Sequence, residues 1–223
     1  MGCNDSHVDE TLQEGDAHAL GDCIVFVDGL GAVPTPPTSL PPVEFSRVAL
    51  RIEPCGFRPR VSARWIAEWV EIDNRTRAAN VHVYRSTLAD TAWNVAVDTA
   101  TTFGDRTSTP LGVGTFLFRC DCEPSYSATV MVLGHPWFDV TRPEAGERLA
   151  AGEFEVRDVP AGERDVVCWH DAVERTPIRA SGRIVAYDAG LPVRLVRRVS
   201  VVVGETARVD FDVPARGTES APR

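Results

Sequence analysis

The sequence predicts an all-β protein. Stretches with an apolar stripe at helical spacing are scarce, apolar/polar alternation recurs throughout, and Gly, Pro and Asp interrupt the alternating runs at short intervals. A sheet buries every second side chain on one face, so many short alternating runs with such turns describe a sandwich or barrel. The 223 residues suffice for one large domain or two small ones, each with a core. Hydrophobic residues make up 43% and charged residues 25%, ordinary for a globular protein.

Residues 1–20 are polar and acidic, with Asp5, Asp9, Glu10, Glu14 and Asp16, and hold too little apolar surface to fold alone. They are expected to form a flexible tether. The opening Met1-Gly2-Cys3 matches the end of a bacterial lipoprotein signal, in which the Cys becomes the lipidated residue, and it also fits the Met-Gly-x-x-x-Ser myristoylation pattern. The Arg-rich, Lys-poor composition favours the bacterial reading, which makes Cys3 the expected lipid attachment site; the alternative is a near-terminal thiol. A first strand is expected near 22–29, around Cys23-Ile24-Val25-Phe26-Val27. Residues 33–42, rich in proline, are expected to form an extended loop. Further strands are expected at Val81–Tyr84, Thr115–Phe118, Thr129–Val132 and Val199–Val203. Trp65 and Trp69, four apart, mark a strand-turn-strand corner with one ring inside and one outside. A boundary falls near 134–144, which gives domains over 21–135 and 136–216, and residues 217–223 read as a tail.

The net charge of −9 argues against nucleic acid as a partner, because phosphate binding needs clustered Lys and Arg. It suits either a solvated surface or docking onto a basic partner. No run of about 18 apolar residues occurs, so no membrane-spanning helix is expected. Six cysteines are present without a Cys-x-x-Cys pair, which leaves zinc-ribbon and thioredoxin readings without support. Cys23 and Cys168 lie in apolar strands and read as buried free thiols. No Gly-x-Ser-x-Gly elbow, His-Glu-x-x-His helix or phosphate-binding Gly loop appears, so no catalytic residue and no enzyme are expected. His135, just before Pro136, reads as structural, and His170, at a strand end, as a solvated or loop-capping residue. Asn74-Arg75-Thr76 matches a glycosylation sequon, a pattern in which chance matches are common.

The order of several segments over residues 22–213 resembles a plastocyanin-like (cupredoxin) domain followed by a small transthyretin-like, carboxypeptidase-regulatory-type domain. Cys55-Gly56-Phe57-Arg58-Pro59-Arg60-Val61 is similar to the cupredoxin Cys-x-Phe-x-Pro-His-Val strand. Val70-Glu71-Ile72-Asp73-Asn74 resembles the strand ending in Asn before the first ligand loop, and Ala79-Asn80-Val81-His82 the His-Asn-Val-His ligand segment. Arg119-Cys120-Asp121-Cys122-Glu123 resembles the second ligand loop. Downstream, His135–Thr141 resembles the joining segment, Gly152–Gly162 the Gly-x-Phe-x-Leu-x-Asp-Val-Pro-x-Gly hairpin, Val166–His170 a Val-Val-Trp-His strand, and Gly204–Phe211 the closing strand pair.

The resemblance implies a cupredoxin-like Greek-key β-sandwich followed by a transthyretin-like β-sandwich. It also implies that the copper ligands are mostly lost. Ala79 stands at the first His position, Glu123 at the second, and Tyr126 (or Ala128, if the loop slips) at the axial Met; Cys120 alone persists. One thiolate does not build a blue-copper centre. No metal and no cofactor are therefore expected, and the alternative is an altered metal set of His82, Cys120, Cys122 and Glu123. Over a metal, the resemblance favours a disulfide from Cys55 to Cys120 or Cys122, stapling the former metal pole, with buried free thiols as the alternative. Tyr126, Trp137 and Phe138 are expected to flank that pole, as a contact for a protein or as filling between domains.

The functional expectation is a non-catalytic binding or structural accessory subunit of a membrane-associated complex, exported to the periplasm and tethered through lipid on Cys3. The alternatives are a metal-handling or electron-transfer protein, and a carbohydrate- or peptide-binding module.

Overall fold

The computed structural model describes residues 20–30, 47–54, 56–66, 68–85, 90–104, 111–121, 123–171, 177–187 and 191–213. Among these the chain is all-β, as the alternation predicts. The strands are β1 (Cys23–Asp28), β2 (Arg47–Glu53), β3 (Gly56–Arg58), β4 (Val61–Trp65), β5 (Trp69–Asn74), β6 (Ala79–Arg85), β7 (Thr91–Val97), β8 (Thr102–Gly104), β9 (Gly114–Cys120), β10 (Glu123–Leu133), β11 (Phe138–Val140), β12 (Gly162–His170), β13 (Pro177–Ala180), β14 (Arg183–Tyr187) and β15 (Val193–Val201). No helix among the described residues is long and apolar enough to cross a membrane. The strands form two compact units.

The first unit, within 31–136 and 177–187, holds two main sheets. One runs β4-β10-β9-β6-β7, the other β3-β2-β5-β8. Each contains one parallel pair, β4 with β10 and β2 with β5, among antiparallel neighbours. The inward faces follow from period-two patterning. Val70, Ile72 and Asn74 of β5, Ala79, Val81 and Val83 of β6, and Phe116, Phe118 and Cys120 of β9 are buried, and their alternate neighbours are more exposed. Leu50, Ile52, Val70 and Ile72 from one sheet join Val81, Val83, Phe116, Phe118, Val130 and Val132 from the other in a single core. Two sheets sharing one apolar interior are a β-sandwich. Trp93 meets Phe103 and Phe118 edge-on, at 5.9 Å and 6.1 Å between ring centroids. The tryptophan corner forms as expected: Trp65 ends β4, buried, with its Nε1 donating to the Gly134 carbonyl at 3.2 Å, and Trp69 opens β5 half-buried.

The second unit, within 7–30, 137–176 and 188–223, is built on one antiparallel sheet ordered β11-β1-β12-β15. The sequence grouping of 21–135 placed β1 with the cupredoxin-like strands; its partners are instead β11 and β12. The reason is visible in the strand itself. Cys23, Ile24, Val25 and Val27 are all buried, so β1 needs cover on both faces and a neighbour at both edges. Thr141 fixes its start: its Oγ1 accepts from the Cys23 N–H at 3.0 Å and donates to the Leu20 carbonyl at 2.8 Å. Gly21 sits so close to Pro143 that a Cβ there would lie 2.6 Å from the proline ring.

Val166–His170 forms the buried end of β12, as expected. The hairpin expected over Gly152–Gly162 and the closing strands over Gly204–Phe211 are not laddered: residues 152–161 and 202–213 carry no strand. Phe154, Val209 and Phe211 instead lie against a core of Cys23, Val25, Val166 and Cys168. A second sheet, as a transthyretin-like sandwich would have, is thus not formed among the described residues of this unit.

Candidate functional site

The segment that carries the expected ligand positions is assembled from β6, β9 and the start of β10. Val81 pairs with Cys120 and His82 with Arg119 across β6–β9, and the Asp121 N–H donates to the Asn80 carbonyl at 2.9 Å. Because faces alternate, Ala79, Val81 and Val83 point into the core with Cys120, whereas Asn80, His82 and Tyr84 lie on the outer face. Ala79, at the first His position, is buried with only a methyl group to offer.

Cys120 is 3% exposed and disulfide-bonded. Its partner lies outside the described residues, as do Cys55 and Cys122, so the expected bridge from Cys55 to Cys120 or Cys122 is not assigned. A disulfide sulfur is not the thiolate that a blue-copper centre needs. Tyr126, at the axial position, packs against the sandwich core, and its hydroxyl donates to the Pro54 carbonyl, joining β10 to the end of β2. Ala128 is buried and points into the same core.

The alternative set of His82, Cys120, Cys122 and Glu123 is not brought together at the two members whose side chains are described. His82 lies on the outer face of the sheet and Cys120 on the inner one, a consequence of the one-residue offset between His82 and Val81, the register partner of Cys120. Cys122 and the side chain of Glu123 lie outside the described part, although the Glu123 backbone pairs with Cys120. Among the described residues no group of three or more His, Cys, Asp or Glu side chains could hold a metal ion.

The outer face carries a polar cluster that sequence reasoning missed. His82 Nε2 is 3.0 Å from Asn80 Nδ2 and 2.9 Å from Asp121 Oδ2, and Asn80 Nδ2 also donates to Asp121 Oδ2 at 2.9 Å. His82 stacks on Tyr84, with centroids 5.7 Å apart. The Asn80/His82 spacing of two predicts a shared face; Asp121 arrives only through the β6–β9 pairing. The cluster orients an imidazole against a carboxylate, and among the described residues no Ser, Thr or Cys hydroxyl or thiol is hydrogen-bonded to it.

Asn74 is structural. It is fully buried, its Nδ2 donates to the carbonyls of Arg77 at 2.7 Å and Val97 at 2.8 Å, and its Oδ1 accepts from the Thr76 N–H and hydroxyl at 3.0 Å each. A side chain so engaged is not available for glycosylation. His135 and His170 are buried as well, and His170 Nδ1 is 2.6 Å from the Asp171 carbonyl. Cys3 lies outside the described residues.

No protein-family model and no curated protein matches the chain. Among solved structures, it is similar to a reduced amicyanin variant (17% identity, 39% of this chain and 82% of that one, TM-score 0.33). It is also similar to the copper-containing nitrite reductase NirK from Thermus scotoductus SA-01 (14% identity, 41% of this chain and 23% of that one, TM-score 0.34) and to a purple cupredoxin from Nitrosopumilus maritimus (13% identity, 39% and 99%, TM-score 0.33). At these values the likeness concerns strand arrangement and carries no argument about metal or partner.

Proposed function

We propose that this chain is a non-catalytic binding or structural accessory subunit, built on a cupredoxin-like scaffold without type 1 copper, in an exported or membrane-associated protein complex. One observation carries the reading. The end of the sandwich where a copper loop would be expected is closed by structural bonds: Ala79 points inward, Cys120 is in a disulfide, and Tyr126 is tied to the Pro54 carbonyl. A pole fastened in this way supports a rigid surface for contact better than a centre that exchanges electrons. Lipid on Cys3, export and protein partners are parts of the same proposal.

The test is native mass spectrometry of the full chain isolated from membranes of its own host, with elemental analysis of the same sample. The proposal expects a complex of fixed stoichiometry, no stoichiometric copper or zinc, and a melting temperature unchanged by chelator. A lone monomer carrying one equivalent of copper, with an intense visible band, would refute it in favour of the metal-handling alternative.

A further inference from the structure

The second unit contains two cysteines that the sequence treats as unrelated. In the β1–β12 register Cys23 lies opposite His170 and Cys168 opposite Val25. Cys23 and Cys168 therefore share one face of the sheet at diagonal positions of an antiparallel pair. Each is 3% exposed, both are free thiols, and both belong to the same buried cluster. The largest influence on the Cys23 thiol is its side-chain hydrogen bond with Cys168. The hydrogen bond with Cys168, and then burial, push the Cys23 thiol up. Both cysteines line a cavity of about 2330 Å³ within this unit, with Leu20, Phe154, Val199 and Phe211.

We propose that Cys23 and Cys168 are a redox pair whose oxidation closes a cross-strand disulfide, locking the N-terminal strand into the sheet of the second unit. The unit is discontinuous: β1 is separated from β11 and β12 by the whole of residues 31–136. A covalent link between β1 and β12 restrains a piece of chain that is otherwise held by hydrogen bonds and packing alone, and it closes a long loop in the unfolded state.

The oxidant is a small-molecule or protein disulfide, and the chemistry is exchange. The thiolate of one cysteine attacks one sulfur of that disulfide, whose S–S bond breaks; the departing thiolate takes up the proton that this cysteine lost. The other cysteine, giving up its own proton, then attacks the protein sulfur of the mixed disulfide and expels the second thiol. The pair loses two electrons and two protons, and the oxidant gains them as two thiols.

Oxidised glutathione is the probe. The full chain is equilibrated with it, remaining thiols are alkylated under denaturing conditions, and peptides from combined cleavage after Lys, Arg and Glu, which separates Cys3 from Cys23, are mapped without reduction. The proposal expects one linked species joining the peptides of Cys23 and Cys168. It also expects a melting temperature on the order of 5–10 °C above that of Cys23→Ser or Cys168→Ser treated identically. Alkylation of both cysteines as separate peptides, a stable glutathione adduct on either, or linkage of either to a different cysteine overturns it. The wild-type map decides the question even if neither variant folds.

Discussion

At the scale of single residues, buried polar side chains hold connections of the first unit together. Asn74 shows how. It accepts and donates through every polar atom while fully buried, and it holds the β5–β6 connection to the end of β7. Asn74→Ala leaves two carbonyls and a backbone N–H short of partners in the interior. It should lower unfolding free energy by about 2–4 kcal/mol, read from denaturant midpoints at constant slope. Asn74→Asp, which keeps the acceptor but not the donors, should recover only part of that loss; a wild-type midpoint in either variant would contradict the role assigned here. The tryptophan corner was legible in sequence because it depends on a local turn; Asn74 was legible only through the family resemblance, since its Val97 partner is 23 residues away. The Asn80–His82–Asp121 cluster was not, since Asp121 is about 40 residues away and reaches His82 only when β9 pairs with β6.

At the scale of elements, alternation placed the strands of the first unit well, and it failed where segments meet their partners without a ladder. Gly152–Gly162 and Gly204–Phe211 carry strand-like patterns, yet their apolar residues are held by contact with the sheet face rather than by strand pairing. The β12–β15 pair has a different support. Arg198 sits across from Asp165, with Nε and one Nη at 2.9 Å and 3.2 Å from the two carboxylate oxygens. The Arg198 hydrogen bond holds the Asp165 carboxyl below its usual range. A carboxylate depressed in the folded state stabilises above its unfolded pKa, and that contribution fades as pH falls through the folded one. Melting temperature should thus fall on acidification from about pH 4 downward, and Arg198→Ala should make that acid limb shallower. The pair is exposed, so the difference will be small and should shrink further in salt. Parallel pH profiles for the two proteins would remove the pair from the account.

At the scale of the whole molecule, the chain leaves the second unit after β1, builds the sandwich and returns through β11. β1 is flanked on both sides, so its loss would expose two sheet edges and a buried face at once. Deleting residues 1–30 should therefore abolish hydrogen-exchange protection in β11, β12 and β15 while leaving β5, β6 and β9 protected. Retained protection in β12 would mean that the second unit holds together without its first strand.

The sequence by itself determined the all-β class, the positions of the main strands, the buried alternation of the sandwich and the absence of histidine where Ala79 stands. These follow from short-range chemistry: period-two patterning, turn residues and the identity of a side chain at one place. Only the tertiary structure decided which unit receives β1, that His82 and Cys120 face away from each other, and that Cys23 meets Cys168. Each of those depends on which distant strand supplies the neighbouring hydrogen bonds and in what register. A shift of one residue turns every side chain to the opposite face, and nothing local in the chain records that choice.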